Sequence, residues 1–168
     1  MKDATNNREI IALALGSNLG DRLGSLRSTV SALRHVVKIE KISPVYETPA
    51  AYITDQPAFL NAALLATTDL EPLELLAQLK NLETRMGRKE TFRYGPRLID
   101  IDLIFYGARQ MNTAELTLPH PSLVEREFVL RPLADIIGGW QHPETGVSVE
   151  RMLQDLPEKS ALRLSESL

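Results

Sequence analysis

The hydrophobic periodicities of this chain predict an α+β fold of the ferredoxin-like type: a βαββαβ core, an antiparallel sheet with helices packed on it, and a C-terminal extension. Three observations predict it. Strand-like and helix-like stretches follow one another in the order strand, helix, strand, strand, helix, strand. The 168 residues are enough for a single domain with one real core. No internal repeat, low-complexity segment or domain boundary interrupts them, so residues 1–168 read as one domain with its core at about 10–136.

Residues 10–15, "IIALAL", read as a buried strand ended by "GSNLGDR". Asp21 is placed to cap a helix in which Leu23, Leu26, Val30, Leu33 and Val37 keep helical spacing. Residues 37–46 alternate as a second strand, stopped by Pro49, and a polar loop "AAYITDQP" follows. Residues 59–67 form the third strand. Pro72 opens a second helix with Leu75, Leu79, Leu82 and Met86 on one face. A basic loop, "GRKETFRYGPR", leads into the fourth strand, "RLIDIDLIFYG". Beyond it, "LPHPSLVEREFVLRPLADI" reads as a short helix and a final strand-like piece. "VSVERMLQDL" reads as a last short helix, and residues 157–168 as a loosely held tail.

Composition excludes several classes. A net charge of -3 gives no broad basic field, so nucleic acid is not an expected partner. With no cysteine there is no disulfide framework, thiol nucleophile or thiolate metal site. The polar N-terminus "MKDATNNRE" lacks the apolar stretch of a signal peptide, and "IIALAL" is too short to span a bilayer. A cytoplasmic protein with no membrane partner is expected.

The fourth strand carries the chemistry. Alternation sends Ile99, Ile101, Leu103 and Phe105 to one face and Asp100, Asp102, Ile104 and Tyr106 to the other. The two carboxylates then stand about 6.6 Å apart, from two strand rises. Their repulsion at a protein surface is roughly 2.5 kcal/mol. Such a pair either faces solvent or shares a cation. Arg85, Arg88, Lys89, Arg93 and Arg97 lie immediately upstream. Magnesium takes one or two protein carboxylates and fills its shell from substrate phosphates, while arginines match phosphate oxygens. Acid pair plus arginine-rich loop reads as a metal–nucleotide site. Neither a P-loop nor a G-x-G-x-x-G motif is present.

Other residues stay open on spacing alone. Glu83 sits on or beside an apolar helical stripe, either as a partner of Arg85 or Lys80 or as a polar contact to a ligand. Phe59 and Asn61 share a strand face, either as core ring and satisfied amide or as a plate and an amide for a heterocycle. His120, held between prolines, is structural or aimed at a phosphate. His35 and His142 have no convincing partners, and zinc is not expected.

These stretches together resemble a known family. "RYGPRLIDIDLI" is similar to the signature of the 6-hydroxymethyl-7,8-dihydropterin pyrophosphokinases of folate synthesis. "GSNLGDR", "SPVYETPA", "DQPAFLNA" and "LPHPSL…REFVLRPL" follow in that family's order, over residues 13–136. The resemblance implies transfer of pyrophosphate from ATP to the pterin hydroxymethyl oxygen, releasing AMP, on a monomer. It implies that Asp100 and Asp102 hold two magnesium ions, with Asp102 also helping to deprotonate the hydroxyl. Arg88 and Arg97 would grip the phosphates and act catalytically. Glu83, Tyr94, His120 and Arg126 would contact ATP. Thr48 and Asn61 would meet the pterin edge, and Phe59 and Phe128 would sandwich its ring. Tyr94 stands where the family commonly has tryptophan, Phe59 where it often has tyrosine, and Glu115 where some members have arginine.

Two alternatives share the same element order: an RRM-like RNA-binding module and another nucleotide-dependent transferase. The first needs exposed aromatics and a basic sheet face, and the fourth strand carries carboxylates instead.

Overall fold

The computed structural model describes residues 7–87 and 92–168. Strand β1 (Glu9–Ser17) leads to α1 (Arg22–Leu33), β2 (Lys38–Ile42), β3 (Tyr46–Thr48), β4 (Phe59–Thr68), α2 (Pro72–Arg85) and β5 (Asp100–Tyr106). This is the expected βαββαβ order, with the second strand in two pieces. β5, β1 and β4 lie side by side, and β2 and β3 both pair with β4, every pairing antiparallel. A small hairpin, β6 (Met111–Asn112) and β7 (Thr117–Leu118), precedes a 3-10 turn at Leu123–Glu125. Helices α3 (Glu127–Ile137) and α4 (Val149–Gln154) and the short strand β8 (Leu162–Arg163) complete the chain.

Local signals account for the helices. The Asp21 carboxylate accepts the Gly24 N–H at 3.0 Å and caps α1. Pro72 starts α2, and the Glu74 carboxylate accepts the Glu71 N–H at 3.3 Å. On one sheet face, Ile11, Leu13, Leu15, Leu60 and Leu64 meet Leu26, Val30 and Leu33 of α1 and Leu75, Leu79 and Leu82 of α2. Each such buried side chain contributes about 1.5–3 kcal/mol against exposure. On the other face, Ala12, Ala14 and Ala63 are small enough for α3 and α4 to settle on the sheet through Val129, Leu130, Leu133, Val149 and Met152. These helices cover only part of that face, and its remaining end forms the floor of a cleft. Among the described residues no helix is long and apolar enough to cross a membrane.

Four expectations change. The strand expected over 37–46 breaks at Pro44, where the Ser43 hydroxyl accepts the Ala63 N–H at 2.8 Å and diverts the chain. In β5 the expected alternation fails after Leu103. Ala12 pairs with Phe105 but Leu13 with Leu103, so Ile104 is an extra bulged residue. The bulge sends Phe105 to the α3 face with Ile104, and returns Tyr106 to the α1–α2 core. The strand-like piece expected near residue 130 is helix α3, with Pro132 inside it. Burial of Val129, Leu130, Leu133 and Ile137 offsets the one backbone bond that Pro132 cannot make. Finally, the stretch expected as a loose tail is tied down. β8 pairs with Tyr46 and Glu47, and the Glu127 carboxylate accepts the N–H groups of Ser160 and Ala161 at 2.7 and 3.2 Å.

Candidate active site

Register builds the floor of the cleft. Across β5, β1 and β4, Asp100 pairs with Gly16 and Gly16 with Asn61, while Asp102 pairs with Ala14 and Ala14 with Ala63. Directly paired residues share a face. Both carboxylates therefore stand at one side of a floor made of glycine and alanine, with an amide at the other side. Above it lies a cleft of about 360 Å³.

The acid pair is not symmetric. Arg97 Nη1 lies 3.1 Å from Asp100 Oδ1. Asp102 is pushed up to about 7, first by desolvation and then by the Asp100 carboxylate, against the pull of Arg126. Two like charges held together, one of them reluctant to ionise, are an oxygen-only donor set of the kind magnesium takes. Among the described residues no group of three or more His, Asp or Glu side chains is placed to hold a metal ion. Two carboxylates leave most of a magnesium shell to water and phosphate, which is how that ion is usually bound.

At the other side, Asn61 and Thr48 are buried, and Asn61 Nδ2 donates to Thr48 Oγ1 at 2.6 Å. That bond fixes the amide orientation. Gly16 keeps room for it, since a Cβ there would stand 3.1 Å from Asn61 Oδ1. Phe59 and Phe128, both half-buried, also line the cleft. His120 lies on the wall shared with Arg126. Its proton affinity falls to about 4, through desolvation and then the Arg126 charge. Its Nδ1 accepts the Ser122 N–H at 3.3 Å, which leaves Nε2 as the protonated nitrogen of a neutral ring. His120 is therefore a hydrogen-bond donor to the cleft at neutral pH, not a cation.

Glu83 takes a different position from the other site candidates. It is buried on α2, and its Oε1 accepts the Ile101 N–H at 2.7 Å. It also borders a second groove along the free edge of β5, together with Lys80 and Glu115. Arg88 lies outside the described residues. Every other expected site residue, namely Thr48, Phe59, Asn61, Tyr94, Arg97, Asp100, Asp102, His120, Arg126 and Phe128, lines the one cleft.

Sequence reasoning missed the parts that hold the loops. Asn18 is 2% exposed, and its Nδ2 donates to Gln56 Oε1 and to the Pro57 carbonyl, both at 3.0 Å. Its Oδ1 accepts the Arg97 N–H at 2.7 Å, and its own N–H donates to the Arg97 carbonyl at 3.0 Å. Gln56 Nε2 in turn donates to the Tyr94 carbonyl at 2.8 Å. An asparagine directly after a buried strand was the available signal. Tyr52 was missed too. Its ring stacks on Tyr94 at 4.3 Å and 24°.

Comparison with known proteins bears on this geometry. The family model described as 7,8-dihydro-6-hydroxymethylpterin-pyrophosphokinase (HPPK) matches residues 12–138. A 2-amino-4-hydroxy-6-hydroxymethyldihydropteridine pyrophosphokinase of Aquifex aeolicus is 44% identical over 133 residues, covering 79% of this chain and 83% of that protein. A mitochondrial folate synthesis bifunctional protein of Pisum sativum is 47% identical over 135 residues, covering 80% of this chain. The chain spans only 26% of that longer relative. Among solved structures, the Plasmodium falciparum HPPK-DHPS wild type with pteroate matches with a TM-score of 0.72 at 17% identity, over 88% of this chain and 42% of that one. At that identity the match speaks for the fold alone.

Proposed function

This chain belongs to the 7,8-dihydro-6-hydroxymethylpterin-pyrophosphokinase family, and from that premise we propose that it transfers pyrophosphate from ATP to 6-hydroxymethyl-7,8-dihydropterin in folate biosynthesis. The observation that carries this reading is the floor of the cleft, where an acid pair and a fixed amide stand at opposite sides of Gly16 and Ala14. One side suits a metal-bound triphosphate and the other suits the edge of a heterocycle.

In the reaction, the pterin hydroxymethyl oxygen forms a bond to the β-phosphorus. The bond between that phosphorus and the α,β-bridging oxygen breaks, and AMP leaves with the electron pair. Little covalent chemistry is asked of the protein; positioning and charge stabilisation carry the rate. Asp100 and Asp102 are the residues that would hold two magnesium ions. The ions supply charge neutralisation across the triphosphate. Asp102 is also assigned the part of receiving the hydroxyl proton.

Arg97 is anchored through its backbone to Asn18 and presents its guanidinium beside Asp100, where charge builds on the transferring oxygens. Arg126 and the neutral His120, which also line the cleft, hold the phosphates or ribose. Asn61, fixed by Thr48, reads the pterin edge, and Phe59 and Phe128 close on its faces. Glu83 serves this site by setting β5, and Tyr94 by covering the cleft. Arg88 retains the family's phosphate-gripping part. A monomer working in the cytoplasm is part of the same proposal.

The test is direct. The protein is incubated with ATP, magnesium and the hydroxymethyl pterin, and the nucleotide product is identified. AMP appearing in step with pterin diphosphate is the expected result. ADP, or no pterin-dependent turnover, would overturn the reading.

A further inference from the structure

Two non-glycine residues among those described have positive φ: Tyr52 at 65° and Tyr94 at 61°. Non-glycine residues in this region carry strain, and such strain persists where the surroundings enforce it. The two are stacked on each other, from two different loops, at the mouth of the cleft. A guanidinium group lies near each ring of the stack. Arg93 Cζ is 4.9 Å from the Tyr94 ring centre, and Arg126 Cζ is 5.6 Å from that of Tyr52. The same Arg126 guanidinium lies 5.5 Å from the Phe128 ring centre. Arg126 Nε also donates to the Tyr52 hydroxyl at 3.1 Å, and that hydroxyl lies 3.4 Å from Glu125 Oε1.

We propose that Tyr52 is a positioning residue: its ring and hydroxyl hold the Arg126 guanidinium over the cleft, and its stacking on Tyr94 makes that hold depend on the second loop. The purpose assigned to Arg126, gripping the nucleotide phosphates, rests on the function proposed above. A free arginine side chain gives up rotamer entropy when a ligand fixes it. With two aromatic rings beside its guanidinium and a bond through Nε, Arg126 has lost much of that freedom before the ligand arrives, with its terminal nitrogens still available to phosphate. Glu125 orients the hydroxyl so that its lone pair meets Nε–H. Gln56, by bonding the Tyr94 carbonyl, and Asn18, by bonding Gln56, keep the second ring in register.

The experiment compares the whole wild-type chain with three single variants and one double variant. Tyr52→Phe keeps the stack and removes only the hydroxyl, with its bonds to Arg126 and Glu125. Tyr52→Gly removes ring and acceptor but takes φ 65° without strain, so folding is not confounded. Arg126→Ala removes the positioned group. In the ligand-free protein, exchange of the Arg126 Nε–H with water is followed by NMR, and both Tyr52 variants should speed it. Affinity is then measured for the magnesium complex of α,β-methylene ATP, which cannot break at the reacting bridge. Tyr52→Phe should weaken it about threefold and Tyr52→Gly about tenfold. Turnover at saturating nucleotide should be nearly unchanged. In the Arg126→Ala background, Tyr52→Gly should have no further effect. An unchanged Nε–H exchange rate in Tyr52→Phe overturns the proposal, and so does an equal loss of affinity with and without Arg126. Should the wild-type protein bind no nucleotide, the proposed function fails, and the exchange rate alone then decides whether Tyr52 positions Arg126.

Discussion

The Glu83 carboxylate accepts the N–H of Ile101 at 2.7 Å, and Ile101 is the residue between Asp100 and Asp102. β5 is an edge strand, with β1 on one side only. Its outward amide at this point would otherwise be buried without a β-partner. Glu83 thereby fixes the backbone that carries both aspartates. Glu83→Ala should lower stability by about 1–3 kcal/mol, the penalty for an unmet buried donor. Glu83→Gln keeps an acceptor oxygen at the same place and should retain most of that stability. Urea unfolding of the two variants checks this; equal losses would show that the charge, not the bond, matters.

Asp102 makes the metal-free protein sensitive to pH. Its folded value is raised from 3.8 to about 7, by desolvation and then by Asp100. Below about pH 4 both folded and unfolded chains hold the proton, and the group contributes nothing. Between there and about 7 the unfolded chain has released a proton that the folded one retains. Stability contributed by this group therefore falls as pH rises through that window, and stays low above it. Urea midpoints without divalent ions should drop from pH 5 to pH 8, and Asp102→Asn should flatten the drop. Magnesium with nucleotide should restore stability on the alkaline side.

Gly16 separates the two ends of the floor. Gly16→Ala would bring a Cβ to 3.1 Å from Asn61 Oδ1 and 3.5 Å from the Phe59 ring, so the amide must give way. The pterin affinity should fall by about two- to tenfold, the range of one hydrogen bond, while nucleotide affinity stays as it was. Titration with each ligand separately checks this. A loss shared equally by both would mean that Gly16 supports the acid pair as well.

Much of this arrangement was legible in the chain because it depends on period and punctuation. Apolar spacing gave α1 and α2, and Pro72 and Asp21 gave their starts. Alternation gave the aspartate face of β5 as far as Leu103. It failed at Ile104 because a bulge inserts one residue, and nothing local in "DLIFY" marks where parity changes. The strand-like piece expected near residue 130 is helical because burial of α3 overrides Pro132. The cleft residues visible in advance were those carrying charge or an unusual neighbour. Asn18, Gln56 and Tyr52 act through partners 38 to 79 positions away, or through a stack with another loop. Spacing along one chain does not encode such pairs.

Arg97 joins the backbone clasp to the chemistry. Its N–H and carbonyl are both bonded to Asn18, so truncating the side chain leaves the loop anchored. Arg97→Ala should lower kcat by about 10²–10³, the scale of losing one charge-stabilising donor. Thermal stability should change less than kcat, since the Asp100 pairing it removes is still partly open to solvent, with its side chains 22% and 23% exposed. Steady-state kinetics and a melting curve on the same preparation check both halves. An unchanged kcat would remove Arg97 from the transition state.

The C-terminal stretch supplies the last prediction. β8 adds a strand to the edge at Tyr46 and Glu47, and the Leu164 N–H donates to the Val45 carbonyl at 2.9 Å. Leu164 and Leu168 pack against the α1–α2 core, and Arg27 donates through Nε and Nη2 to the Ser167 carbonyl at 3.1 and 3.0 Å. Against these gains stands the backbone entropy of ordering the segment, about 1–2 kcal/mol per residue. The two terms nearly cancel, so deleting residues 160–168 should lower stability by only about 1–2 kcal/mol and the melting temperature by a few degrees. None of these residues lines the cleft, so kcat and both KM values should hold. Hydrogen exchange on the full chain makes the sharper check. The Leu164 amide should be protected and its protection lost together with that of Val45 and Tyr46, because the strand and its edge form or open as one unit.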